Sequence, residues 1–356
     1  MSAVAAERLS LLAPFDPVDA RALAPFAELV RGSSLAALWQ GQSLRGEPLV
    51  NAGHLSGRGY AIPYSFGVLV TALHHPYAVA TALSSIRATT REPVVAGFGP
   101  GGRAAQIALT GAPIASPLEH MRGYLTSVRE HLTAAGTEGV SLGLGVLRPR
   151  MARLAGEVAD VAVCWLAPPR YLAETIVPEL AQGAEDSGRA RPRVVAYLAA
   201  GLGVPPAAAG DHLAVAVGAH LSLPHYRDAL GRAGVDVEAA LRSPEAAVDV
   251  LTSAGVYVAG GVEEVRAACA RLFRAGADEV VLNLTGVTER VGIVPVIDLL
   301  LALDEAHVAT SSAPPLRRQE SATERSVPVS GTDETGLAVL AGRRSPQREG
   351  ENHVRI

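Results

Sequence analysis

Four short stretches of this 356-residue chain combine glycines, an indole, amides and arginines in patterns suited to holding a flat, anionic molecule. They are Trp39-Gln40-Gly41-Gln42, Gly67-Val68-Leu69-Val70-Thr71, Gly97-Phe98-Gly99-Pro100-Gly101-Gly102 and Leu147-Arg148-Pro149-Arg150-Met151. Glycine lets the backbone approach a ring closely and present its N–H groups to a carbonyl edge. Arginine near a helix start can meet an anionic tail. The chain has no lysine, all 31 basic residues being arginine, so any side-chain cation at that tail must be arginine. Gly67, Val68, Val70, Gly99, Gly101, Leu147, Arg148, Arg150 and Met151 are therefore the candidate cofactor contacts. Trp39 and His74 are candidates for substrate contact. Gln42 is the candidate for orienting substrate, since an amide can hydrogen-bond but is no general base. Each has a plainer reading alone: Trp39 as core, the glycines as tight turns, His74-His75 as a solvent-facing pair before Pro76. Their convergence on one face carries the functional reading.

Other chemistries lack their residues. No His or carboxylate cluster has metal-ligand spacing. Two cysteines, Cys164 and Cys269, make neither a disulfide framework nor a four-ligand zinc site. The G-x-S-x-G string at residues 139–143 lies within the strand run 140–146 rather than at a strand-to-helix turn, so it marks no nucleophile elbow, and no strong G-x-G-x-x-G follows the first strand. A net charge of −4 offers no basic surface for nucleic acid. The longest apolar runs are broken by Gly, Pro or charge before a membrane span is reached. With no leader pattern evident, a soluble cytoplasmic protein is expected.

Positioning the four stretches requires a regular scaffold. Short β-branched or Leu-rich runs at residues 9–13, 35–39, 64–71, 94–97, 140–146, 161–165, 194–199 and 279–284 read as strands buried on both faces. Helical patterns separate them: one opened by Asp16-Pro17, others at 76–87, from Ser116-Pro117, near 150–157, at 169–187 and around Val265–Phe273, with 295–304 closing. Eight such units fit an α/β fold, a (β/α)8 TIM barrel, better than an open sheet. Functional residues then gather at the C-terminal strand ends, where all four stretches fall. Residues 40–62 and 201–254 break the rhythm and read as loops or short helices over the barrel mouth. Residues 1–306 form the expected barrel domain. Residues 307–356, rich in Ser, Thr, Pro, Arg and Glu, read as a disordered tail.

Three stretches carry a family resemblance: "FGVLVTALHHPYAVATALSSI", "PVVAGFGPGG", and "RPRMARLAGEVADVAV" followed by "PPRYLAETIVPEL". In this order they resemble the bacterial-luciferase-like flavin and deazaflavin oxidoreductases, from Leu9 to about Ala306. The resemblance implies a (β/α)8 barrel that binds FMN or coenzyme F420 across the strand mouth, and barrels that often pair as homodimers. It also implies a bulge after the third strand, often with a non-proline cis peptide, with Gly67-Val68 as the matching pair. Relatives bind the cofactor through the stretch matching Leu147 to Met151.

Departures narrow the chemistry. Gln42-Ser43 stands where many deazaflavin relatives carry an acid–His pair. Glycine near Gly101-Gly102 replaces an acidic proton acceptor, and Arg148-Pro149 replaces Gly-Pro. The expectation is a coenzyme F420-dependent oxidoreductase reducing an activated double bond in a small-molecule secondary metabolite or modified peptide. An FMN-dependent monooxygenase and a cofactor-lost scaffold subunit are the alternatives. Gly67→Val is expected to spare the fold while weakening cofactor binding, on the reading that the strand exit lies outside the packed layers.

Overall fold

The computed structural model describes residues 7–43 and 45–310. Its strands, in chain order, are β1 (Arg8–Leu12), β2 (Leu38–Gln40), β3 (Tyr64–Val70), β4 (Val94–Gly99), β5 (Val140–Gly145), β6 (Val161–Cys164), β7 (Arg193–Leu202), β8 (Tyr257–Gly260) and β9 (Glu279–Asn283). All pair in parallel. β1 to β7 follow one another around the sheet, and β9 closes it by pairing with both β7 and β1. Eight strands thus form a closed parallel barrel, a TIM barrel. β8 is additional, pairing only with the far half of β7 through Ala199–Tyr257 and Leu202–Gly260. It escapes a sequence reading because four residues after a turn carry too little periodicity.

Helices cover the barrel: α1 (Ala24–Gly32), α2 (Pro48–Gly57), α3 (Pro76–Thr90), α4 (Arg103–Thr110), α5 (Pro117–Ala134) and α6 (Pro149–Val158) in the first half. In the second half lie α7 (Pro169–Tyr171), α8 (Val177–Asp186), α9 (Ala209–Leu221), α10 (Pro224–Arg232), α11 (Val237–Ala240), α12 (Pro244–Ser253), α13 (Val262–Arg274), α14 (Thr285–Val291) and α15 (Ile293–Thr310). A π-helical turn at Leu172–Ile176 joins α7 to α8.

The first helix does not open at Asp16-Pro17. Asp19 caps a short 3-10 turn, and α1 restarts at Ala24 with Pro25 in its first turn. Proline has no N–H and would break a helix running through from Pro17, so the chain begins afresh where proline is tolerated. α5 does begin at Pro117, but Ser116 makes no side-chain cap bond. The irregular stretch 40–62 holds the ten-residue α2, capped by Glu47. The stretch 201–254 holds α9 to α12, packed as a separate apolar cluster around Leu213, Val217, Leu230 and Leu251. The closing helix runs on to Thr310, so residues 307–310 belong to α15 rather than to a tail. The rest of the expected tail, 311–356, lies outside the described residues.

Alternation along the strands sorts the core into two layers. Trp39, Val95, Val163, Val195, Tyr197 and Val281 fill the barrel interior. Leu11, Leu38, Phe66, Ala96, Leu142 and Leu282 belong to the cluster shared with the helices.

Candidate active site

The mouth is organised by an irregularity in β3. Its register with β4 runs Phe66–Ala96 and then Leu69–Phe98, so one extra residue is accommodated at Gly67-Val68. The peptide between those two residues is cis. Gln42 N–H donates to Val68 O at 3.2 Å, tying the exit of β2 to the bulge. Both bulge residues are half-buried. A Cβ at Gly41 would meet only Gly67 O, at 3.8 Å, so the β2 exit leaves open space beside the bulge.

Glycines on β4 and β5 serve this bulge directly. A Cβ at Gly99 would lie 2.9 Å from Val68 Cγ2, and one at Gly145 3.2 Å from its Cγ1. At Gly101, whose φ is +72°, a Cβ would lie 3.1 Å from Val70 Cγ1. The sequence reading had Gly99 and Gly101 admitting a ring to the backbone. Their side-chain space is instead taken by Val68 and Val70, and Val68 becomes a braced apolar platform.

Gln42 sits at the centre of a polar knot. Its Oε1 accepts from Val70 N–H at 3.3 Å and from His74 Nε2–H at 2.9 Å, while its Nε2 donates to Ser43 O at 3.1 Å. His74 is thereby joined to the strand-2 exit, with no partner at its Nδ1 among the described residues, and Tyr124 Oη donates to its backbone oxygen at 2.9 Å. Thr71 Oγ1 and His120 Nε2 lie 2.8 Å apart beside it. Neither Tyr124 nor His120 was singled out in the sequence, because α5 reaches this site from some 50 residues away.

Trp39 does not reach the mouth. It is completely buried inside the barrel, its Nε1 donating to Glu279 Oε1 at 2.7 Å and its ring standing edge-on to Tyr197 at 5.8 Å. It cannot touch substrate; it supports Gly67 from below, its ring carbons 3.0 Å from where a Cβ would stand.

The strand-5 exit divides its residues. Arg148 caps α6 and its Nε donates to Asp228 Oδ2 on α10 at 2.7 Å, so this arginine is engaged within the protein. Arg150 stands exposed beside the same helix N-terminus, with no ion pair among the described residues. Leu147 and Met151 are half-buried, and Leu147 O accepts from Tyr171 Oη at 3.4 Å.

A second wall was missed altogether. Trp165, directly after β6, lies edge-on to Tyr197 at 5.4 Å and 5.0 Å from the His220 ring of α9. Tyr226 and His225 of α10 continue the line, at 5.1 Å and 4.5 Å between successive rings. Tyr197 Oη in turn donates to Gly67 O at 3.4 Å, joining the wall to the bulge. A lone His and Tyr in an irregular insertion carry no sequence signal for such a placement.

Burial dominates the histidines. It lowers His74, His120 and His225 from the usual imidazole range, and holds His220 down at about 4 with help from His225. The unfolded chain takes up these protons near pH 6.5 while the folded chain refuses them. Stability should therefore fall on acidification from about pH 6.5 toward 4. Thermal melts across that window test it: His220→Phe is expected to flatten the decline, and equal slopes for the two proteins would show that His220 does not titrate this way.

Residues 8–279 match the luciferase-like monooxygenase family, and the chain belongs to that family. It is an oxidoreductase barrel of the luciferase-like kind. Solved structures of similar fold include the coenzyme F420-dependent tetrahydromethanopterin reductase of Methanopyrus kandleri, at 17% identity and a TM-score of 0.63, covering 86% of this chain and 99% of that one. An F420-dependent secondary alcohol dehydrogenase, seen with an F420–acetone adduct, matches at 15% identity and a TM-score of 0.66, covering 83% and 98%. The EDTA monooxygenase of Chelativorans sp. BNC1 matches at 15% identity and 0.63, covering 85% and 94%. At these identities the likeness is one of fold. No curated protein matches the chain in sequence. Among the described residues no helix is long and apolar enough to cross a membrane, and no cluster of His, Cys, Asp or Glu could hold a metal ion.

Proposed function

We propose that the chain is a cytoplasmic, coenzyme F420-dependent oxidoreductase that reduces an activated double bond in a small secondary metabolite or a modified peptide. The observation that carries this reading is the platform at Val68, braced over Gly99 and Gly145 and flanked by the open space at Gly41. A flat, largely apolar ring fits such a surface. Arg150 and the N-terminus of α6 suit an anionic tail, with Arg148 beside them in an exposed pair with Asp228. Bound there, the cofactor supplies the hydride. The chain's own residues orient the ring, exclude water and handle the proton. His74, fixed through Nε2–H on Gln42 Oε1, is a group at this edge able to take up a proton at Nδ1 and pass it on.

Fluorescence titration of the full chain with coenzyme F420 and with FMN tests the reading. F420 is expected to bind more tightly, and Arg150→Ala to weaken it about fivefold, ~1 kcal/mol. Tighter FMN binding supports a monooxygenase instead, and no binding of either supports a barrel that has lost its cofactor.

A further inference from the structure

Two polar atoms where α9 faces the exit of β6 are unmatched. Trp165 Nε1 and His220 Nδ1 are both buried without a hydrogen-bond partner among the described residues. An indole N–H can only donate, and such a donor left unpaired away from water is destabilising. Both residues are only half-buried, so part of each is open to solvent beside its buried nitrogen.

The surroundings define what would fill that space. Tyr197 and Tyr226 extend the wall on either side of Trp165 and His220 with aromatic surface. α10 crosses toward the opposite strand exits: a Cβ at Gly102 would lie 3.0 Å from His225 Cε1, and Asp228 holds Arg148. The wall thus begins at the bulge and ends on a helix tied to the exits of β4 and β5. With His220 uncharged near neutral pH, the unmatched pair offers hydrogen bonding without a full charge.

We propose that Trp165 and His220 form a substrate subsite for a neutral, planar, conjugated carbonyl compound, whose oxygen accepts from Trp165 Nε1. This deepens the function proposed above and rests on it for the redox step. In such a reduction the bound reduced deazaflavin would supply a hydride to the β carbon of the conjugated system. The C=C electron pair would shift to make the enolate, whose oxygen Trp165 N–H would stabilise, and a proton taken from solvent would add at the α carbon. The substrate gains two electrons and two hydrogens, and the cofactor is left oxidised.

Isothermal titration of the full chain with benzalacetone, and with cinnamate as its anionic counterpart of the same shape, tests the subsite. Benzalacetone is expected to bind at least tenfold more tightly than cinnamate. Trp165→Phe, which keeps the ring and removes the donor, should weaken benzalacetone about tenfold, ~1.4 kcal/mol. Its cofactor affinity and circular dichroism melt should be unchanged. Undiminished binding to Trp165→Phe, a preference for cinnamate, or displacement of benzalacetone by saturating cofactor would each overturn the proposal. Benzalacetone binding that depends on Trp165 in a chain binding neither F420 nor FMN would uphold the subsite and refute only the redox reading.

Discussion

Gly67→Val is expected to lower the thermal midpoint steeply and to abolish cofactor binding in the same variant. A Cβ at Gly67 would stand 2.2 Å from Tyr197 Oη and 3.0 Å from two carbons of the Trp39 ring. Neither neighbour can yield easily. Tyr197 is buried and edge-packed between Trp39 and Trp165, and Trp39 is anchored through Nε1 to Glu279. This reverses the expectation from sequence that the strand exit lies outside the packed layers, because Gly67 faces the innermost one. Overpacking a dense core costs about 1–3 kcal/mol, and valine's three carbons should reach the upper end of that range. Gly67→Ala should be milder and partly rescued by Tyr197→Phe, which deletes the closest atom. Circular dichroism melting beside a cofactor titration on each variant decides it. A valine variant that melts like the natural chain would show that Tyr197 and Trp39 move aside at little cost.

The second large effect is expected at the opposite end of the barrel. Glu279, at the start of β9, is 1% exposed. Its Oε1 accepts from Ser10 Oγ at 2.6 Å and from Trp39 Nε1 at 2.7 Å, while Arg193 Nη1 donates to Oε2 and Arg8 Nε lies 4.0 Å away. Glu279→Ala would leave a hydroxyl and an indole N–H unpaired and two arginines without their shared counter-charge. Removing one partner from such a buried set costs about 3–5 kcal/mol. Glu279→Gln keeps an oxygen for Ser10 and Trp39 but loses the charge facing the arginines, so it should fall between. Denaturant unfolding is the measurement: the alanine variant's midpoint should drop sharply with the slope unchanged. A loss below about 1 kcal/mol would place the group among ordinary surface pairs.

The eight barrel strands were legible in the sequence because a parallel strand covered on both faces must be apolar throughout, and short runs of that kind stand out between helical repeats. The same uniformity hid the interior. Ala37 and Trp39 share a face by period two, yet nothing in a strand apolar on both sides says which face turns inward. Trp39 therefore read as a substrate contact until closure of the barrel placed it against Glu279, 240 residues away. The pairing of Arg148 with Asp228, across 80 residues, was equally invisible and engaged one of the two arginines at this exit. Glycine-rich exits read as room for a ring, and only the register shift between β3 and β4 places the Val68 side chain in that room. The site's location, its glycines and the arginine character of its rim were local properties, written in residue type and spacing. Which side chains face one another there depended on barrel closure and on the path of the α9–α10 insertion. Contacts between segments tens to hundreds of residues apart have no local pattern to betray them.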